Sequence, residues 1–238
     1  MTLVSYARIA TLALAVWAGA ARADTLTDFN AAVEVAETHN RVAIGYLRTE
    51  NRDLASVELD RLRESWGKVG TIKRPDIFDS KLYVAMMTDI SLRLVTADLM
   101  LNSGRLDNAR QSLEAVRTDL YNLRTSAGVV VLADCVRDST TALDALMVYN
   151  DRELDWAKPE TGAGIADKTA AYEKVLDRCN ATASEVMRKD AEFRRLIDGA
   201  KEGLGLIPQA IKARDTDLVH RVLIQLRSFD NLLQFRFG

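Results

Sequence analysis

Residues 79–126 read DSKLYVAMMTDISLRLVTADLMLNSGRLDNARQSLEAVRTDLYNLRTS, and the spacing of their apolar side chains decides the fold class. Tyr83, Met87, Ile90, Leu94, Ala97 and Leu101 recur at threes and fours, the interval that places side chains on one face of an α-helix. The pattern predicts a helix over about 79–102. Asn102-Ser103-Gly104 then stops it, and Ala109, Leu113, Val116 and Leu120 mark a second helix that reaches about Ser126. Two such helices joined by so short a turn make an antiparallel hairpin.

The same period runs outward on both sides. Upstream, Phe29, Val33, Ala36, Ala43 and Leu47 form one stripe, and Ala55, Leu59, Leu62 and Trp66 form another before Gly67, Gly70 and Pro75 interrupt it. Downstream, a helix is expected over about 129–156, followed by a loop at Lys158-Pro159-Glu160-Thr161-Gly162-Ala163-Gly164. A further helix should start near Ile165, carry Cys179 and continue toward Leu196. Gly199, Gly203, Gly205 and Pro208 then predict a break between 199 and 208, since glycine and proline are poor inside helices. The last helix should run from about Asp215 almost to Gly238, with Val219, Val222, Leu226, Phe229 and Leu233 inward. The expected fold is all-α, a bundle of long antiparallel helical hairpins in one domain over 24–238, with 127–164 as the place where it could subdivide.

Composition agrees with that reading. The chain has 238 residues, 48% hydrophobic and 28% charged, as in ordinary globular proteins. Its 6% aromatic content, 3 prolines and 12 glycines argue against the many turns of an all-β domain. With 34 acidic against 32 basic residues it lacks the basic excess that nucleic acid or an anionic membrane surface requires.

Three helix starts share a pattern without gaps. Asp53, Ala55, Leu59, Leu62 and Arg63 match Asp107, Ala109, Leu113, Val116 and Arg117, and again Asp217, Val219, Leu223, Leu226 and Arg227. Leu47, Leu101 and Ile211 agree upstream. The offsets of 54 and 110 residues, close to one and two units, predict a repeated hairpin in which the aspartate accepts hydrogen bonds from the free amides of the second helix, with a degenerate unit near 160–177. Locally, Leu101-Asn102-Ser103-Gly104-Arg105-Leu106-Asp107-Asn108-Ala109 resembles the inter-helix turn of a tetratricopeptide hairpin, over residues 101–117. The resemblance implies hairpin geometry only, because a period near 54 and the helix lengths do not suit a 34-residue solenoid.

Residues 1–23 read as a secretory signal peptide. Arg8 supplies the positive start, Ile9 to Ala18 a short apolar run, and Ala21-Arg22-Ala23 the cleavage site. The run is too short to span a bilayer. Export to a periplasm is therefore expected, and an oxidising compartment makes Cys135 and Cys179 a candidate disulfide.

Little points to chemistry. No G-x-S-x-G, H-E-x-x-H or phosphate-binding glycine loop occurs, so no catalytic residue is assigned and an enzyme is not expected. His39 and His220 are candidate ligands for a metal or for haem, with Met86, Met87, Met100, Met147 and Met187 available as partners, although methionine ordinarily fills cores. No cofactor is otherwise expected. Phe235 and Phe237 would form an apolar interaction patch if they protrude. The leading expectation is an exported, non-enzymatic binding or protein-interaction module whose partner is a periplasmic protein or small ligand. The alternative is a metal- or haem-binding bundle.

Overall fold

The computed structural model describes the backbone of residues 5–150 and 153–238 and the side chains of 25–150 and 153–238. The expected signal peptide and its cleavage site therefore fall on side chains outside the described residues. The chain is all-α, without a strand among the described residues, and it divides into two compact units, 1–129 and 130–238.

The first unit holds α1 (Ser5–Arg48), α2 (Arg52–Val69), α3 (Ser80–Asn102) and α4 (Leu106–Ser126). The α1–α2 and α3–α4 hairpins pack together mainly through α1 against α4. The stripes identified by periodicity are buried, from Phe29 and Val33 on α1 to Leu113 and Leu120 on α4, except that on α3 Met86 takes the core place expected of Met87, which is half-buried beside it. Gly67 does not interrupt α2, which runs on to Val69.

The second unit holds α5 (Leu132–Met147), α6 (Pro159–Thr182), α7 (Glu185–Lys189), α8 (Ala191–Leu204), α9 (Ile207–Ala213) and α10 (Thr216–Phe237). Here α5 packs on α6 and α10, and α10 packs on α8 and α9. Three expected boundaries move. The expected 129–156 helix is shorter, ending at Met147. The expected loop at 158–164 is instead the start of α6, because Pro159 occupies the first turn, where a missing N–H costs nothing. Its glycines serve close approach, since a Cβ on Gly164 would collide with the Tyr149 hydroxyl and one on Gly162 would stand 3.1 Å from Ile211. The helix expected to run on to Leu196 breaks twice, where Ser184 accepts from the Met187 amide and Asp190 from the Phe193 amide, each starting a new helix. The break expected between 199 and 208 occurs between α8 and α9. Gly199 lies inside α8, where a Cβ would meet the Phe229 ring at 2.7 Å.

The hairpin repeat is present in the backbone. Glu50, Gly104 and Arg214 occupy equivalent turn positions, and all three have left-handed φ of 56°, 76° and 55°. The amide after each closes the same bond, Asn51 to Tyr46 O at 2.9 Å, Arg105 to Met100 O at 2.9 Å and Asp215 to Ala210 O at 3.0 Å. The role expected of the aspartates needs correction. Asp53, Asp107 and Asp217 are each the second residue of their helix, and the capping side chains are Asn51 and Asp215, with no side-chain cap at Arg105. At that position an aspartate faces the positive end of the helix dipole.

The offset of 110 residues extends beyond these turns to the buried faces of three helices. Ala55, Leu59, Leu62, Trp66 and Val69 of α2 correspond at that offset to Ile165, Thr169, Tyr172, Leu176 and Cys179 of α6, all of them buried. Tyr83, Met86, Ile90, Leu94 and Ala97 correspond in the same way to Phe193, Leu196, Ala200, Leu204 and Ile207. On the last helix, Ala109, Leu113, Val116, Leu120 and Leu123 correspond to Val219, Leu223, Leu226, Asp230 and Leu233. At this offset α5, α6, α8 with α9, and α10 correspond to α1, α2, α3 and α4, although α5 ends at the equivalent of Glu37 and α7 is additional; the degenerate unit expected near 160–177 lies within α6.

Candidate functional site

Two copies of one fold provide an internal comparison. A position polar in one copy and apolar in the other answers to something besides the fold, and two groups of residues differ in this way.

The first is the outer face of α3. Opposite its buried stripe, Val84, Leu92, Val95 and Leu99 are exposed by 61, 60, 50 and 59%. Ala85, Thr88 and Thr96 complete a face with no charge from Val84 to Leu99. The equivalent residues of the second unit are Arg194, Arg195, Asp198, Glu202, Gly205, Leu206 and Gln209, a mostly solvated face. Beside α3 lies an open groove of ≈ 580 Å³, lined by Gly70, Ile72, Tyr83, Val84, Met87 and Leu92 among others. Leucine and valine here do nothing for the core of the first unit, which takes Tyr83, Met86, Ile90 and Leu94 from the other side of the same helix. Periodicity alone missed this face, although its signal is present: α3 has apolar residues on two opposite sides, with Asp89, Arg93 and Asp98 on the flanks between them.

The second group is a polar layer in the core of the second unit. Ser139, Thr169, Tyr172 and Asp230 stand where the first unit has Phe29, Leu59, Leu62 and Leu120. The Asp230 carboxylate is fully buried and accepts from Ser139 Oγ at 3.1 Å and Thr140 Oγ1 at 2.8 Å, with Arg227 Nη1 at 4.0 Å. Burial holds its proton affinity above that of an ordinary aspartate, opposed by the Thr140 and Ser139 hydroxyls and by Arg227 and reinforced by Asp144. The Tyr172 hydroxyl is pushed up as well, by burial first and then by Asp230.

That direction fixes a pH dependence. A carboxyl with a raised folded-state pKa is protonated more readily in the folded than in the unfolded chain, so its contribution to stability is present at acid pH and lost as pH rises through the folded value. The Asp230→Asn variant is expected to flatten this part of the stability curve between mildly acid and neutral pH, measured by urea unfolding. A slope unchanged from the wild type would exclude Asp230 as its source.

The residues singled out from sequence lie apart from one another. Cys135 and Cys179 form a disulfide with 5.3 Å between Cα atoms, joining α5 to α6 inside the second core. His39 lies within the first unit, its Nδ1 2.7 Å from Glu58 Oε2, and Arg61 donates to the other Glu58 oxygen at 2.6 Å. His220 lies within the second, with Nε2 3.1 Å from the Tyr149 carbonyl. Among the described residues no three His, Cys, Asp or Glu side chains group as metal ligands. Met86 is buried in the first core, with Met87 and Met100 packed against it, and Met147 and Met187 pack against the second. Phe235 and Phe237 do not protrude together. Phe235 is 54% exposed, whereas Phe237 packs edge-on against Phe193 at 5.4 Å, which removes it from any joint patch.

No helix among the described residues is long and apolar enough to cross a membrane. No protein-family model, no curated protein and no solved structure matches the chain.

Proposed function

We propose that the chain is an exported, periplasmic, non-enzymatic interaction module, two tandem copies of a four-helix unit in which the outer face of α3 receives the apolar side of a partner helix. One observation carries this reading. Seven equivalent surface positions are uncharged in the first copy and predominantly charged or polar in the second, so the fold itself does not require an apolar face there. The apolar positions are spaced along four turns of a single helix, which suits helix-in-groove recognition. The disulfide is compatible with export, and the reading of residues 1–23 as a cleaved leader supplies the route.

The test places a photo-crosslinking amino acid at Leu92, or at its counterpart Glu202, in the exported protein. A single defined adduct at Leu92, abolished by the added change Leu99→Arg and absent at Glu202, is the expected result. No adduct at Leu92, or the same adducts at both positions, would overturn the reading.

A further inference from the structure

We infer that the occupant of the α3 face is a second copy of this chain, with the two α3 helices packed antiparallel about a two-fold axis at Leu92; this rests on the docking face proposed above. The outward residues Ala85, Thr88, Leu92, Val95 and Leu99 follow one another at three, four, three and four, the seam spacing of a coiled coil. That spacing reads nearly the same in both directions from Leu92. An antiparallel partner therefore sets Leu92 beside its own symmetry mate and places the small Ala85 opposite the large Leu99 at either end, so that bulk meets space without rearrangement. An isologous pairing needs this kind of self-complementarity from a single patch.

Charge agrees. A second copy brings its own charges to the seam's flanks, and two of them are already balanced within the unit, Arg93 by Asp119 at 2.5 Å and Asp98 by Arg63 at 3.7 Å. With the axis at Leu92 the exposed Asp89 of one copy comes beside Val95 of the other at the seam's edge, and none of the five seam residues is itself charged. The counterpart face on α8 carries Arg195, Asp198 and Glu202 at the positions of Ala85, Thr88 and Leu92, and its charges would have to be desolvated for the same pairing. The pairing is accordingly assigned to α3 and not to α8.

The experiment is sedimentation equilibrium of the intact chain, compared with Leu92→Glu and with the control Glu202→Ala. Wild type and Glu202→Ala are expected to dimerise, with association weakened at least tenfold by Leu92→Glu, whose side chain lies at the surface and whose circular dichroism should show a folded chain with unchanged helix content, its unfolding temperature losing only the concentration dependence that association gives the wild type. Single added thiols give the geometry, because both native cysteines are tied up in the disulfide. The Leu92→Cys variant should form an inter-chain disulfide, whereas Val84→Cys should not, since two copies of residue 84 lie about 24 Å apart along antiparallel helices centred on 92. A dimer insensitive to Leu92→Glu, or one that crosslinks through residue 84, overturns the inference. A monomer overturns it too. In that case a photo-adduct at Leu92 with a different protein leaves the docking face standing, and no adduct removes both.

Discussion

The Arg124→Met variant is expected to lose about 3–5 kcal/mol of stability, enough to unfold the first unit well before the second. Arg124 and Glu37 are 2% and 5% exposed, and the guanidinium meets the carboxylate through two contacts, 3.1 Å at Nη2 and 3.4 Å at Nη1. Together they satisfy each other between α4 and α1. Removing the guanidinium leaves a carboxylate in the core with its main cation gone, and the cost is the desolvation of that charge rather than the modest attraction between the pair. The double variant Glu37→Met, Arg124→Leu removes both charges and should recover most of the loss. The second unit supports this expectation, because Met147 stands at the place of Glu37 and Gln234 at that of Arg124. Urea unfolding of the three proteins decides the matter. A double variant as unstable as the single one would show that the pair contributes attraction beyond its own burial cost.

Losing the disulfide is the second large effect. Exchanging both Cys135 and Cys179 for alanine should destabilise the second unit by about 4 kcal/mol, the chain-entropy value for a loop of this length. Their separation is 44 residues, and the bond ties the start of α5 to the end of α6 across the long 148–158 connection. At the equivalent positions the first unit carries Thr25 and Val69, so its unfolding should not move. Calorimetry with and without reductant reads the two units separately. Both sulfurs are buried, at 0 and 1% exposure, so reduction of the native protein should also wait on opening of the second unit. An upper transition and a lower one that both stay in place on reduction would refute the assignment.

Much of the architecture can be read from residue spacing because helices bury one side. The stripes from Phe29 to Leu47, from Tyr83 to Leu101 and from Val219 to Leu233 are periodic, and each is a core face. The Cys135–Cys179 bond could be expected from an even cysteine count behind a stretch that reads as a signal peptide. What misled was local punctuation. Gly164 and Gly199 read as breakers, yet each is the place where an aromatic side chain presses on a helix, and only the facing residues, Tyr149 and Phe229, explain them. The partners of His39 and His220 were equally out of reach, because Glu58 and the Tyr149 carbonyl arrive from other parts of the chain.

The same division of labour explains the repeat. The three hairpin turns share a backbone whose signature is partly in the residues, an apolar stripe on either side, but glycine appears at only one of the three left-handed positions, while Glu50 and Arg214 occupy the others. The 110-residue offset is legible in the match of 107–117 to 217–227, but its extension to the other helices is masked because α6 starts earlier than its counterpart α2, and because polar side chains replace Phe29, Leu59, Leu62 and Leu120. Sequence by itself determined the helical class, the buried stripes and the crosslink, since each depends on spacing along the chain or on thiol chemistry. Only the tertiary structure decided that those stripes form two equivalent cores, that Asp230 is enclosed in one of them, and that the far side of α3 is left apolar. Burial is a property of what a side chain faces, and a helix with apolar residues on both sides does not disclose which side its own fold will cover.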